Sequence, residues 1–210
     1  MKTRSLWPVA TFTFAYLAAA SAGALVLGNG EFLLYIAVML LLLGVVWCVH
    51  RSIEITNPAL WALSLWGLAH MVGGLVPAPA AWPIDGNIRV LYSVWLIPDR
   101  LKYDQVVHAY GFAVTTWVCW QGIRAAIRHR GGDAAPTFGL MVLAATSGMG
   151  LGALNEIVEF AATLLVPETN VGGYLNTGWD LVANSVGATT AATIICLRGA
   201  RQTSQRETSS

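Results

Sequence analysis

The sequence predicts an all-α polytopic membrane protein, a bundle of about six transmembrane helices. Of its 210 residues, 56% are hydrophobic and only 11% are charged, and the mean hydropathy is +0.60. A soluble domain carries charge on about a quarter of its residues. The net charge of +1, with basic residues scattered through short loops, excludes a nucleic-acid-binding protein.

Six stretches reach the roughly 20 apolar residues that span a hydrocarbon core. They are residues 6–28, 32–49, 58–77, 103–123, 138–165 and 178–197. Turn residues such as Gly, Pro and Asn separate them. The one long connection, residues 79–102, mixes Trp with Arg and Lys, which suits a membrane interface. We therefore expect a single transmembrane domain over residues 1–200 and a disordered cytoplasmic tail over residues 201–210.

The first segment has two interpretations. Lys2 and Arg4 precede an apolar run that ends in a stretch of Ala and Ser, as in a cleavable signal peptide. The run continues through Leu27, longer than the hydrophobic region of most signal peptides. A retained first helix is therefore favoured, and the later helices keep the same orientation in either case.

The orientation follows from the Lys and Arg residues of alternate loops. One side of the predicted bundle carries Lys2, Arg4, Arg51, Arg124, Arg128, Arg130, Arg198, Arg201 and Arg206, which makes nine. The other side carries three, Arg89, Arg100 and Lys102. This asymmetry predicts a multi-pass protein of the bacterial inner membrane with both termini in the cytoplasm.

Ionisable residues interrupt the later apolar segments, where charge costs several kcal/mol and usually marks a functional site. Residues three or four positions apart share a helix face. Such pairs are Asp104 with His108, Glu156 with Glu159, Asn155 with Glu159, and Asp180 with Asn184. At a rise of about 1.5 Å per residue, all of these and His70 fall in the outer half of the bilayer. Nearby small residues, among them Gly148, Gly152 and Gly187, allow close helix packing.

Simpler roles exist for some of these residues. Thr177-Gly-Trp-Asp180 fits a capping box, in which Asp180 would satisfy backbone donors at a helix start. Asp104 could lie in water at the mouth of the fourth helix, and His70 could be a hydrogen-bonded core histidine. Glu156 and Glu159 lie deep in an apolar run without a compensating Lys or Arg, which favours a functional role.

Three sequence blocks resemble the YjdF-like group of uncharacterised bacterial inner-membrane proteins. The blocks are Tyr103-Asp104-Gln-Val-Val-His108-Ala-Tyr-Gly111, Asn155-Glu156-Ile-Val-Glu159-Phe160 and Gly173-Tyr174-Leu-Asn-Thr-Gly-Trp-Asp180-Leu-Val-Ala-Asn184-Ser-Val-Gly187-Ala188. The order of their polar residues is also similar, more loosely, to the VanZ family linked to glycopeptide resistance, in which Gln is more common at the position of Glu159. Neither resemblance implies an established reaction.

The leading hypothesis is metal-assisted chemistry on a lipid or lipid-linked head group. Asp104, His108, Glu156 and Asp180 are the expected ligands of a divalent metal, Mg²⁺, Mn²⁺ or Zn²⁺. Glu156, Glu159 and His108 are the expected catalytic residues. Arg100 and Lys102 would hold a phosphate, and Asn155 and Asn184 would complete the binding site.

Two other functions stay open. The carboxylates and histidines could relay protons or bind a cation in a transporter, although the cytoplasmic halves of the same segments are apolar and show no inverted repeat. The chain could also be a non-catalytic scaffold for lipids or a partner. Membrane lipids, and a lipid-linked small molecule, are the expected partners, and the oligomeric state is left open.

Overall fold

The fold is that of an all-α polytopic membrane protein, as predicted. The computed structural model describes residues 5–167 and 169–207, with only the backbone of residues 202–207. The described chain forms six α-helices, which are α1 (Trp7–Leu27), α2 (Gly30–Ile53), α3 (Asn57–Leu75), α4 (Tyr103–His129), α5 (Phe138–Leu165) and α6 (Tyr174–Glu207).

Five of these helices, α1, α2, α3, α5 and α6, are long and apolar enough to cross a membrane. The exception is α4, whose sequence includes Asp104, Arg124 and Arg128. This helix contacts α2, α3, α5 and α6. A helix surrounded by other helices does not need an apolar surface on every side, so α4 can carry the polar residues of the bundle.

The helix ends follow from local sequence. Gly28 ends α1 in the left-handed conformation with φ of 62°, which favours glycine. The Asn29 side chain then accepts a hydrogen bond from the Phe32 amide at 3.0 Å and starts α2. These two residues make the turn between α1 and α2 tight. As a result, the start of α2 lies at the same end of the bundle as the end of α1.

The last helix is longer than the sequence predicted. It begins at Tyr174, four residues before the expected segment, because the amides of Asn176 and Thr177 already donate to the Gly173 carbonyl. It continues to Glu207, through most of the tail that was expected to be disordered. Gln, Arg and Glu are good helix formers, so the polar sequence can extend an existing helix. Residues 208–210 of that tail lie outside the described residues.

The long connection between α3 and α4 folds into a compact unit. It contains a 3₁₀ turn (Leu91–Ser93) and two short antiparallel strands, β1 (Trp95–Ile97) and β2 (Leu101–Lys102). Isolated bridges join Pro77 to Val90 and Ile84 to Val94. These backbone hydrogen bonds fold the connection on itself, and its 3₁₀ turn contacts α3 and α4 at one end of the bundle. The sequence had indicated only an interfacial loop here.

Two apolar cores occupy opposite ends of the bundle. Leu17, Phe32, Tyr35, Met71 and Tyr92 belong to the first, at the end that carries the long connection. The second lies between α4, α5 and α6 and is formed by Trp120, Met141, Ala144, Ala145 and Ala192. The polar residues described next lie beside the first core, toward the end of the bundle that carries the long connection.

Candidate metal centre and adjoining cavity

His108 of α4 is the centre of a buried polar cluster. Its Nδ1 atom lies 3.1 Å from Asn184 Oδ1 and 3.5 Å from Glu156 Oε1. Its Nε2 atom lies 3.5 Å from Asp104 Oδ1 and 3.7 Å from Glu159 Oε1. Both ring nitrogens therefore face acceptor oxygens, and the residues that supply them come from three different helices.

The ionisable side chains of α4, α5 and α6 converge on one point between these helices. Potential ligand atoms of His108, Glu156, Glu159 and Asp180 all lie within 4.8 Å of one another. Opposite ligands of a single divalent ion are about 4–5 Å apart. The four side chains are thus spaced closely enough to share one ion.

Several polar atoms of the cluster are buried without a well-formed hydrogen bond. Asp180 is fully buried, and its Oδ1 atom has no hydrogen-bond partner among the described residues. Glu156 is 7% exposed, and neither of its oxygens accepts a hydrogen bond of ordinary geometry there. The amides of Asn155 and Asn184 approach Glu156 only as weaker contacts. Buried carboxylate oxygens are costly unless a proton, a donor or a cation satisfies them.

Small residues make this convergence possible. A methyl group built on Gly187 of α6 would lie 1.9 Å from the carbonyl oxygen of Ala109 in α4. One on Gly152 of α5 would lie 2.8 Å from the Asn184 amide nitrogen. The helices approach so closely at these points that only glycine fits without a shift.

A cavity of about 410 Å³ adjoins the cluster at the end of the bundle that carries the long connection. Asp104 and Glu159 line this cavity and also lie beside the His108 imidazole. The rest of the wall comes from the start of α2, the end of α3, the connection and the segment before α6. The buried cluster is therefore reachable from a polar space at one end of the bundle.

The expected binding residues occupy different positions. Lys102 is buried and lines the cavity, where it forms an ion pair with Asp85 at 3.3 Å and donates a hydrogen bond to Asn176. Arg100 lies exposed between β1 and β2 and does not line the cavity. Asn155 donates to Glu159 Oε1 at 2.8 Å, and Asn184 contacts His108. The structure thus brings together all the expected site residues except Arg100, while their roles stay predictions.

The simpler roles can be compared with these positions. Asp180 lies in the second turn of α6, so it does not cap the helix start. Asp104 contacts both His108 and Asn176, and its side chain is 16% exposed, so it does not lie free in water. His70 fits the role of a core histidine, because its Nδ1 atom is hydrogen-bonded to the hydroxyl of Tyr92.

The protonation of the Tyr92 phenol, which is hydrogen-bonded to His70, depends on its surroundings. Tyr92 lies in the 3₁₀ turn outside the helices. Burial, and the nearby carboxylates Asp104 and Glu159, raise the pKa of the Tyr92 phenol well above its ordinary value. The phenol therefore keeps its proton, and its hydroxyl is hydrogen-bonded to His70 Nδ1 as a neutral group. This bond ties the connection to α3 beside the cavity.

Two important residues were missed by the sequence analysis. Glu31 lines the cavity and is 6% exposed, but its position in the first turn of α2 resembles an ordinary helix-start acid. Asn176 donates to Asp180 Oδ2 at 2.5 Å and to Asp104 Oδ2 at 3.5 Å. Its spacing of four from Asp180 was the available signal, because it predicts one shared helix face.

A family model for predicted membrane proteins, DUF2238, matches residues 8–201. The chain belongs to this family. The match covers all six helices apart from their outermost residues, and it agrees with the expected resemblance to the YjdF-like group. No curated protein and no solved structure matches the chain.

The geometry modifies the expected ligand set. Glu159 belongs to the group whose ligand atoms lie within 4.8 Å of one another, and Asp104 lies beside it at the imidazole. If Asn184 Oδ1 accepts the proton of His108 Nδ1, the Nε2 atom is free to act as a ligand. One imidazole with several carboxylates suits Mg²⁺, Mn²⁺ or Zn²⁺, and such outer partners orient the ligands.

Proposed function

We propose that this protein is a metal-dependent membrane enzyme that acts on the polar head group of a lipid or a lipid-linked molecule. The observation that carries the proposal is the group formed by His108, Glu156, Glu159 and Asp180, whose ligand atoms lie within 4.8 Å of one another beside a polar cavity. Below, these four residues are called the cluster. A lipid is the proposed substrate because the cavity lies at one end of helices that suit a bilayer.

Charge supports a cation in the cluster. Its three carboxylates, together with the neighbouring Asp104, surround a single imidazole, and no Lys or Arg pairs with them among the described residues. Closely spaced carboxylates in a poorly solvated site repel one another. A divalent ion would offset this repulsion and satisfy the unpaired oxygens of Glu156 and Asp180.

The residues that border the cavity define the chemistry. A bound divalent metal would polarise an ester oxygen of the head group or lower the pKa of a water molecule. Glu159 belongs to the cluster and also lines the cavity. It is therefore placed to accept a proton from water that enters from the cavity. Lys102 is the only Lys or Arg in the described cavity wall, and it would attract the phosphate of the head group.

Transport is the second candidate, since unpaired carboxylates can also carry protons. The packing of α4, α5 and α6 favours an enzyme over a transporter. The half of these helices away from the cavity is filled by Trp120, Met141 and Ala144, each buried in the second apolar core. A transport path would have to open this core. A non-catalytic scaffold gains nothing from costly buried carboxylates, so it ranks third.

The location completes the proposal. The asymmetry of nine basic residues against three supports an orientation in the bacterial inner membrane with both termini in the cytoplasm. The cavity would then open toward the outer leaflet. Membrane lipids are the proposed partners. Of the two family resemblances, to the YjdF-like group and to the VanZ family, we propose that the first reflects the closer relationship.

The test uses purified protein in detergent and separates metal binding from turnover. Wild-type protein should bind Mn²⁺, measured by electron paramagnetic resonance, and should convert a short-chain phospholipid to products detected by mass spectrometry. Glu156→Gln keeps the shape of the side chain and removes its charge. It should weaken Mn²⁺ binding by roughly 100-fold and abolish turnover, because loss of a ligand costs at least as much as loss of an outer partner.

Glu54→Gln is the matched control, because Glu54 is exposed and lies at the end of α2 away from the cavity. It should bind Mn²⁺ and turn over lipid like the wild type. Both variants should fold and enter the membrane normally. Full Mn²⁺ binding by Glu156→Gln, or no Mn²⁺ binding by the wild type, would reject the metal centre.

A further inference from the structure

A second buried carboxylate lies in the cavity wall outside the cluster. The Oε2 atom of Glu31 accepts a hydrogen bond from the Asn170 amide at 2.9 Å, and Oε1 accepts one from the Tyr35 hydroxyl at 3.2 Å. No Lys, Arg or His lies within ion-pair distance of Glu31 among the described residues. Each oxygen has one donor, so the carboxylate keeps acceptor capacity for a further partner.

The start of α2 accounts for part of this arrangement. The positive end of the helix dipole favours an anion in the first turn, where Glu31 lies. That effect, together with the two hydrogen bonds, explains how a buried carboxylate can be held in place. The helix dipole and the two hydrogen bonds do not supply a full positive charge to balance Glu31. The cavity has room for a ligand that carries one.

Aromatic rings continue from Glu31 along the cavity wall. The ring centres of Tyr35 and His70 are 5.8 Å apart, and those of His70 and Tyr92 are 5.4 Å apart. Tyr35 and Tyr92 are both buried and line the cavity. A carboxylate beside aromatic rings is a typical environment for binding an ammonium group, through charge and cation–π attraction. Glu31, Tyr35, His70 and Tyr92 are named here the amine pocket.

The charge of the whole cavity points to the same ligand. Glu31, Asp85, Asp104 and Glu159 line the wall, and Lys102 is already paired with Asp85. A head group with only negative charge would meet a surplus of carboxylates. A head group with both a phosphate and an ammonium group can place the phosphate near the metal and Lys102, and the ammonium group near Glu31.

We propose that the amine pocket binds the primary ammonium group of the lipid head group on which the enzyme acts. The substrate class is thus a zwitterionic aminophospholipid, such as one that carries phosphoethanolamine. The inference rests on the proposed function for the phosphate end of the ligand. The pocket itself is made of residues that take no part in the cluster, so the two can be tested separately.

The experiment compares two soluble short-chain lipids, dihexanoyl phosphatidylethanolamine and dihexanoyl phosphatidylglycerol. Binding to detergent-purified protein in the presence of Mn²⁺ is measured by titration calorimetry below the critical micelle concentration of each lipid. The wild type should bind the ethanolamine lipid about tenfold more tightly, because a hydrogen bond to a charged group contributes that much. Glu31→Gln should lose this preference and keep its affinity for the glycerol lipid.

Mn²⁺ binding is measured on the same samples. Glu31→Gln should bind Mn²⁺ like the wild type, and Glu54→Gln should match the wild type in every measurement. If the wild type fails to bind Mn²⁺ but still prefers the ethanolamine lipid, the proposed metal chemistry is wrong and the amine pocket stands. Equal wild-type affinity for the two lipids, or an unchanged preference in Glu31→Gln, would overturn the amine pocket.

Tyr35→Phe provides a second test if Glu31→Gln does not fold. It keeps the carboxylate and the ring but removes the hydroxyl that donates to Glu31. The carboxylate would then be less well oriented, so we expect a preference reduced by about threefold, as the loss of one hydrogen bond predicts. A folded Tyr35→Phe protein with the full tenfold preference would contradict the role given to this pocket.

Discussion

At the residue scale, His108 decides how the cluster can work. Its two ring nitrogens face acceptors from α4, α5 and α6, and only one nitrogen can bind a metal while the other donates a hydrogen bond. The shortest of these contacts is the one with Asn184, at 3.1 Å. Asn184 is 1% exposed, so its side chain is shielded from bulk solvent. We therefore assign Asn184 the task of fixing the tautomer and orientation of the imidazole.

Asn184→Ala should weaken Mn²⁺ binding by about 10–100-fold, the usual effect of removing an outer partner of a ligand histidine. Electron paramagnetic resonance of the purified variant measures this. Ser185→Ala on the same helix is the control, because within the described part of the chain the Ser185 hydroxyl donates only to the Leu181 carbonyl of its own helix. Equal Mn²⁺ affinity of Asn184→Ala and the wild type would mean that another group orients His108.

At the element scale, the close packing of α4, α5 and α6 holds the cluster together. Each helix contributes ionisable or amide side chains from one face, so their convergence depends on the distance between helix axes. Gly148, Gly152 and Gly187 set that distance, because a methyl group at each would contact the neighbouring helix at 2.1, 2.8 and 1.9 Å. At Gly187 the obstacle is backbone, which cannot move away as a side chain can.

Gly187→Ala should therefore push α4 and α6 apart and destabilise the protein by about 1–3 kcal/mol. The thermal unfolding midpoint in detergent should fall, and Mn²⁺ binding should weaken with it. Gly178→Ala is the matched control on the same helix, because none of the described residues lies within 4 Å of a methyl group there. That variant should be as stable as the wild type or slightly more stable, since Ala favours the helix. Equal midpoints for the two variants would show that the helices can separate at no cost.

At the scale of the whole molecule, all the site residues gather at one end of the bundle. The cavity takes its wall from the start of α2, the end of α3, the start of α4, the end of α5 and the start of α6. This arrangement requires successive helices to alternate in direction. At the other end, the Thr56 amide donates to Gln121 and the Cys196 thiol approaches the Pro136 carbonyl. The two ends therefore face opposite sides of the membrane.

Reporter fusions test the proposed orientation. Alkaline phosphatase is active only outside the cytoplasm, and green fluorescent protein folds well only inside it. A fusion after Arg130 should fluoresce, and a fusion after Gly86 in the long connection should show phosphatase activity. The reverse pattern would invert the orientation, and the cavity would then open to the inner leaflet. Identical signals from both fusions would contradict the alternating helix order itself.

Hydropathy alone determined much of this protein. The six helices follow the six predicted segments. For five of them the reason is that an apolar stretch of about 20 residues has few other stable states, whereas α4 is less apolar and is enclosed by other helices. Spacing within each helix also placed Glu156 beside Glu159 and Asp180 beside Asn184, since residues three or four apart share a face. Where the C-terminal end differs, at Glu207, polar residues extend a helix beyond its apolar part.

Only the tertiary structure decided which residues complete the site. Glu31 and Asn170 are 139 positions apart and meet at the cavity, and Lys102 pairs with Asp85 of the same connection. Arg100 and Lys102 are two positions apart, yet one is exposed and the other is buried. Periodicity reports the faces of a single helix about its own axis. It does not report how the helices rotate and pair, or how an irregular connection folds onto them, because those depend on packing between residues far apart in the chain.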